Sequence, residues 1–314
     1  MDVCVLGRIG YDLYAVEHNR PLAEVKHFSR HLGGSSANIA IGLARLGLQV
    51  GIIGCLGNDL LADYLLGVLS REGVDSRYVR LAEGYNTSLC LTEVSPPDRF
   101  SQVFYRGKPA DSQVVLGDAE LAYVQQARIF VTNGTSLCAS PSRESTLSAL
   151  ATARAAGLCT VFDVDYRASS WPSPAIAGET ARRALPCVEV LLGNEDELAL
   201  LTGESDLWRQ AEATMSYGVK IVVSKLGAKG VMAHTREGSW PVGPFPIHVV
   251  STIGAGDGFA AGFLYALDRG LPVKECLQYG NAAAAVVVSR VSCSDAMPRL
   301  YEVTGLLAAA NDLR

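Results

Sequence analysis

Short β-rich runs alternate with longer helical stretches along most of this chain, and that alternation constrains the fold more than any other feature. Val3–Leu6 reads as a first buried strand. Ser36–Leu46 reads as a helix stopped by Gly47, Val50–Cys55 as the next strand, and Leu60–Arg71 as a helix closed by Gly73. Further strands are expected at Ile129–Thr132, Thr160–Asp163, Val190–Leu192, Lys220–Ser224 and Ile247–Val250. Helices are expected around Ser142–Ala156, Ala175–Ala184 and Asp206–Tyr217. Strands separated by helices form a parallel sheet covered on both faces. The expected fold is therefore α/β and doubly wound.

Two regions break the rhythm. Pro21–Leu32 and Thr87–Arg106 are β-rich with no helix between their strands, and they alternate apolar and polar residues. They are expected to form a small lid over one edge of the main sheet, from approximately 12–32 and 86–110 of a single domain spanning 1–314. A lid that excludes water suits chemistry in which water competes as acceptor.

Composition narrows the classes. With 314 residues, 49% apolar and 19% charged, the chain can bury a large core and is not disordered. Its 31 glycines follow no Gly-X-Y period, which excludes collagen. A net charge of −5 without a basic tract makes nucleic acid or an anionic membrane an unexpected partner. Apolar runs such as Ala282–Val288 fall short of the ~20 residues a membrane span needs. The start, Met-Asp-Val-Cys-Val-Leu-Gly, reads as a strand rather than a signal peptide, so a cytoplasmic location is expected. The eight cysteines are widely spaced and read as small, reduced hydrophobes. His27 and His31, placed in a strand, do not converge as metal ligands would on a helix.

Two glycine-rich turns carry the chemistry. In Ser251-Thr252-Ile253-Gly254-Ala255-Gly256-Asp257-Gly258, a β-run enters and an apolar helix leaves. Small residues there let backbone N–H groups converge at a helix N-terminus, a site for anionic oxygens. Asp257, in the first helical turn, can take a proton from a hydroxyl while the amides hold transferring charge, or can simply cap the helix. In Leu32-Gly33-Gly34-Ser35-Ser36-Ala37-Asn38, a β-run again turns into a helix. Gly33 and Gly34 admit a polyhydroxylated ligand, and Asn38 can bridge hydroxyls or face solvent.

Together, Gly-Gly-x-x-Ala-Asn-x-Ala and the later Gly-Ala-Gly-Asp resemble the paired signatures of the ribokinase-like (PfkB) carbohydrate kinases, over essentially the whole chain. The resemblance implies a three-layer α/β/α domain with a β lid, and transfer of the ATP γ-phosphoryl group to a sugar hydroxyl. It makes Asp257 the base and the amides of Gly254, Ala255 and Gly256 the anion hole. It puts Asp12, Gly33, Gly34 and Asn38 on the sugar. It makes Asn194 and Glu197 the Asn-x-x-Glu element that orders magnesium through water, although Asn followed three residues later by Glu is also a capping box. Lys225, Gly227 and Gly230 fall in the nucleotide-side turn, and Asn281 beside adenine. Many relatives carry an Asp that helps bind an activating monovalent cation where this chain has Ser251, so potassium dependence does not follow.

The stretches Phe104-Tyr105-Arg106 and Asp163-Val164-Asp165-Tyr166-Arg167 resemble those of sugar-acid kinases in the family. On that resemblance Tyr105, Arg106 and Arg167 bind substrate, the arginine forks holding a carboxylate. On the residues alone, two structural arginines bonding local acids is the better reading. By the same resemblance, the opening Leu6-Gly7-Arg8-Ile9-Gly10-Tyr11-Asp12-Leu13-Tyr14 implies 5-dehydro-2-deoxygluconate, from myo-inositol breakdown, rather than 2-dehydro-3-deoxygluconate. A neutral sugar, a nucleoside or an inactive scaffold are the other readings. Exposed lid strands make a homodimer an expectation.

Overall fold

In the computed structural model, which describes residues 1–96 and 99–312, the apolar runs assemble into a large sheet and a small one. In chain order the strands are β1 (Val3–Leu6), β2 (Gly10–Ala15), β3 (Phe28–Gly33), β4 (Val50–Gly57), β5 (Asp75–Ala82), β6 (Leu89–Thr92) and β7 (Gln102–Tyr105). They continue with β8 (Ile129–Asn133), β9 (Cys159–Asp163), β10 (Val190–Asn194), β11 (Ile221–Lys225), β12 (Val231–Thr235) and β13 (Gly238–Val242). The helices are α1 (Ser35–Arg45), α2 (Leu60–Arg71), α3 (Asp118–Val124), α4 (Ser142–Ala155) and α5 (Pro174–Arg182). They continue with α6 (Glu195–Thr202), α7 (Leu207–Met215), α8 (Ala255–Asp268), α9 (Val273–Val288) and α10 (Leu300–Asp312).

The large sheet runs β13-β12-β11-β10-β9-β8-β1-β4-β5. Pairing is parallel from β5 through to β11, and β12 and β13 add an antiparallel edge. Every residue of β1 is buried, because both faces are covered, and its sequence accordingly shows no polar alternation. Val3 and Val5 enter a core shared with α1, α2, α8 and α9, while Cys4 and Leu6 enter one shared with α4, α5 and α7. Three layers result, and the site lies at the carboxyl ends of the parallel strands.

The small sheet, β3-β2-β6-β7, is the lid. Tyr14 and Ala15 of β2 pack with Val94 and Cys293, fastening it to the main body. Of the expected Pro21–Leu32 stretch, only the part from Phe28 is strand, and Leu22–Glu24 is a 3-10 turn. Pro97 and Asp98, inside the expected second lid stretch, lie outside the described residues.

Ile247–Val250 is not a strand. Pro244 and Pro246, just ahead of it, have no N–H to extend a ladder. The Val250 and Ser251 N–H groups instead donate to the Val288 carbonyl, at 2.7 and 3.0 Å. His27 precedes β3 and bonds Glu17, whereas His31 bonds Ser29 and Asp295. All eight cysteines are free. Among the described residues no helix is long and apolar enough to cross a membrane.

Candidate active site

The carboxyl ends of β9, β10 and β11 and the N-terminus of α8 surround a cavity of ≈ 430 Å³. Gly254 caps α8 in the left-handed region, at φ 80°, where an L side chain is strained. A Cβ there would also press on Cys293 at 3.2 Å. The tight turn leaves the Gly254 and Gly256 N–H groups without a protein acceptor among the described residues, as expected of a first helical turn. The Ala255 N–H makes only a long bond to the Thr252 carbonyl, at 3.4 Å. Gly254 and Gly256 line the cavity beside Asp257, whereas Ala255 does not.

Asp257 is held by α1. Ser35 Oγ donates to one carboxylate oxygen and Asn38 Nδ2 to the other, each at 2.7 Å. Asn38 is buried rather than facing solvent, and it grips the expected base through Nδ2 while its Oδ1 has no hydrogen-bond partner among the described residues. Burial pushes the Asp257 carboxyl above the usual carboxylate range and Asp165 adds to this, while Ser35, Asn38 and Arg167 pull it back. A fixed carboxylate of raised basicity beside unpaired amides can accept a proton while negative charge is held next to it.

Asp12 comes from β2. Its Oδ1 is buried without a hydrogen-bond partner among the described residues, and a Cβ on Gly33 would stand 2.1 Å from its Oδ2. Only glycine leaves room for that carboxylate. Burial raises its pKa to about 6, against the pull of Arg8 and His31. Gly34, at φ 93°, makes the turn into α1.

On the opposite side, Asn194 caps α6. Its Oδ1 accepts from the Glu197 N–H and Glu197 Oε2 accepts from the Asn194 N–H, both at 2.8 Å. The capping box is therefore real, and both residues also line the cavity. Glu197 Oε1 accepts from the Tyr166 N–H at 3.0 Å, which fixes the carboxylate but leaves lone pairs for water. Among the described residues no three His, Cys, Asp or Glu converge as a direct metal cage. The lone pairs that Glu197 keeps fit the water shell of a magnesium ion, which retains much of its water. Lys225 Nζ sits on the Asp163 carboxylate at 2.8 and 2.9 Å, and a Cβ on Gly256 would lie 3.5 Å from it. Burial works against that ammonium, but Asp163 and Glu197 hold its pKa above the usual lysine range.

Gly227 lines the cavity, but Gly230 and Asn281 do not. Gly230 is packed against the Val242 carbonyl. Asn281 Nδ2 donates to the Val242 and Gly243 carbonyls, at 3.3 and 2.9 Å, and so pins the segment after β13.

Tyr105 is a correction. Side chains alternate along a strand, so Gln102 faces the cavity and Phe104 a neighbouring pocket, while Tyr105 is 58% exposed on the other face. Arg106 is largely spent on Asp111, Ser170 and Cys138, and Arg167 pairs with Asp165 at 3.0 Å. The local-acid reading of both arginines is thus realised, although Arg167 also lines the cavity. Ser35, Asp163 and Asp165 were not anticipated as site residues. Asp165 is buried in the left-handed region, at φ 36°, pairs with Arg167 and lies near enough to Asp257 to raise its pKa. The signal that could have found it is an Asp-x-Asp pair at the carboxyl end of a parallel strand.

Residues 1–300 match the model for the pfkB family carbohydrate kinases. The chain belongs to that family. This pfkB member is 38% identical over 309 residues to the 5-dehydro-2-deoxygluconokinase of Geobacillus thermodenitrificans, covering 96% of this chain and 92% of that one. Its fold is similar to that of a PfkB protein from Polaromonas sp. JS666, with a TM-score of 0.86 and 30% identity over 97% of this chain and 99% of that one. A putative Ribokinase II of E. coli in complex with ATP and Mg shares the fold, at a TM-score of 0.89 and 22% identity over 98% of this chain and 99% of that one. The pfkB membership makes the chain a carbohydrate kinase with the ribokinase-like fold.

Proposed function

We propose that this kinase transfers the γ-phosphoryl group of Mg-ATP to the terminal hydroxyl of 5-dehydro-2-deoxygluconate. The observation that carries the chemistry is Asp257, clamped by Ser35 and Asn38 beside the unpaired amides of Gly254 and Gly256. The substrate follows the name of the relative at 38% identity over nearly the whole chain.

Asp257 takes the hydroxyl proton as the substrate oxygen bonds to the γ-phosphorus. The bond from that phosphorus to the bridging oxygen breaks, and its electron pair leaves with ADP. Little covalent work falls to the protein, so positioning and charge neutralisation dominate. The amides at the start of α8 and the Lys225 ammonium face the transferred group. Asp12, with its unpartnered Oδ1, receives sugar hydroxyls. Glu197 and Asn194 would hold magnesium through its water shell, and the ion would supply neutralisation of phosphate charge there. Ser251 is buried and its Oγ accepts from the Ile253 N–H at 3.2 Å, so position 251 presents a hydroxyl rather than a carboxylate to a monovalent cation. The lid closes over the acceptor and excludes water, and its outward Val103 and Tyr105 are the surface for a homodimer. A kinase of such metabolites acts in the cytoplasm.

ADP release across 5-dehydro-2-deoxygluconate, 2-dehydro-3-deoxygluconate, fructose, ribose and a nucleoside tests the substrate. The first should give the highest kcat/KM, and a neutral sugar in first place would overturn the reading. Asp257→Asn should lower kcat by about 10³-fold with an unchanged circular-dichroism spectrum; undiminished turnover would remove Asp257 as base.

A further inference from the structure

Tyr14 and Cys293 are buried beside the site, yet neither has a part in the mechanism above. Tyr14 stands two residues after Asp12 on β2, so both side chains leave the same face of the strand. The Tyr14 hydroxyl and Cys293 Sγ lie 3.0 Å apart and share a hydrogen bond, although 279 positions separate them. A buried tyrosine hydroxyl needs a partner, and here the lid takes it from the main body.

Cys293 also reaches the other half of the chemistry. A Cβ on Gly254 would stand 3.2 Å from its Cα, Cβ and Sγ alike, so the residue packs directly against the turn into α8. Ile253, just ahead of Gly254, packs against the small apolar cluster of Tyr14, Ala15, Val94 and Cys293. That cluster is separate from the two main cores and joins lid to turn. The next two residues repeat the link: Ser294 Oγ donates to the Leu32 carbonyl, and Asp295 bonds His31, each at 2.6 Å. Arg45 of α1 donates to the Asp295 and Met297 carbonyls, at 3.0 and 2.8 Å, and so fixes this segment on the body. Burial pushes the Tyr14 hydroxyl and the Cys293 thiol well above their ordinary ranges, and Asp12 adds to both. The pair therefore stays neutral at neutral pH and acts by position.

We propose that Tyr14 and Cys293 are positioning residues for the transfer step, their hydrogen bond setting the spacing between Asp12, which receives the acceptor, and the Gly254 turn, which holds the phosphoryl group. This rests on the roles given above to Asp12 and the turn, and deepens them. In-line transfer depends on that spacing, since a misplacement of about 1 Å can cost on the order of a hundredfold in rate. Binding of either substrate alone does not.

The test measures kcat, both KM values and acceptor-free ATP hydrolysis in the wild type, Tyr14→Phe, Cys293→Ser, Cys293→Ala and the Tyr14→Phe/Cys293→Ala double variant. The acceptor is 5-dehydro-2-deoxygluconate, or whichever sugar ranks first in the panel above. Tyr14→Phe removes the hydroxyl alone and leaves Cys293 packed against Gly254. Its kcat should fall about tenfold, with both KM values held within about twofold and an unchanged circular-dichroism spectrum. Hydrolysis, in which water replaces the sugar, should fall by no more than about twofold. Cys293→Ser keeps a partner for the hydroxyl and should retain most of the rate, whereas Cys293→Ala should match Tyr14→Phe. The double variant should be no slower than either single one, as two halves of one bond require. An unchanged kcat, losses that add, or an equal fall in transfer and hydrolysis would make the pair structural and overturn the proposal. Should Cys293→Ala fail to fold, Tyr14→Phe decides alone, by a selective or an equal loss. A wild-type enzyme that phosphorylates no sugar of the panel would overturn the roles of Asp12 and the turn themselves, before any variant is made.

Discussion

At the scale of single residues, Asp12, Asp163 and Asp257 are carboxylates kept in places that resist their ionisation. Asp12 shows the cost. Its pKa of about 6 lies above the ~3.9 of an unfolded aspartate, so the folded chain holds the proton more tightly. That contribution to stability is fully present below about pH 4 and is lost as pH rises through about 6. Asp12→Asn should therefore raise stability at pH 7.5 by ~2 kcal/mol in denaturant melts, with a gain that shrinks toward pH 4. The same variant should lose acceptor binding. In the wild type, kcat/KM should fall on the acid side with an apparent pKa near 6, since a protonated Asp12 no longer offers an anionic oxygen to hydroxyl donors. A flat profile from pH 5 to 8 would contradict both statements. Asp257 was legible in the sequence because a turn of small residues ahead of an apolar helix announces itself locally. Ser35 and Asn38 as its clamp were not, because nothing local links α1 to a residue more than two hundred positions away.

At the scale of elements, strand parity decides roles that sequence motifs leave open. Phe104 and Tyr105 are neighbours on β7, yet one lies over Arg8 and the other points outward. Phe104→Ala should raise KM for the acceptor about tenfold, with a cation–π contact and water exclusion both weakened. Tyr105→Asp should act instead on association, shifting sedimentation toward the monomer. A large effect of Tyr105→Asp on acceptor KM would mean that the two faces had been assigned the wrong way round. The buried parallel strands were legible because both faces are covered and the runs are continuously apolar. The β12–β13 hairpin was not anticipated, and Ile247–Val250 misled because its β-branched residues match a strand in composition. Two nearby prolines and the Val288 carbonyl gave those amides another destination.

For the whole molecule, the expected order of opening follows from coverage. Central strands β1 and β8 are wholly buried, whereas β7 alternates half-buried and exposed positions at the edge of the lid. Hydrogen exchange should be slowest in β1 and β8 and fastest in β6 and β7. Adding acceptor and a non-hydrolysable ATP analogue should slow exchange in the lid strands far more than in the main sheet. Equal protection of both would mean that the lid is a fixed part of the body rather than a closing element.

The clamp on Asp257 has a consequence for how the enzyme comes into being. Ser35 and Asn38 are synthesised early, but the carboxylate they hold arrives only in the last fifth of the chain. A partly made polypeptide carries its first strands and α1, yet it has no base to position and no amides to hold a phosphoryl group. Phosphoryl transfer is thus switched on late in translation, and fragments cut anywhere between the two helices are silent alone. Mixed together, such halves would recover turnover only by docking α8 against α1.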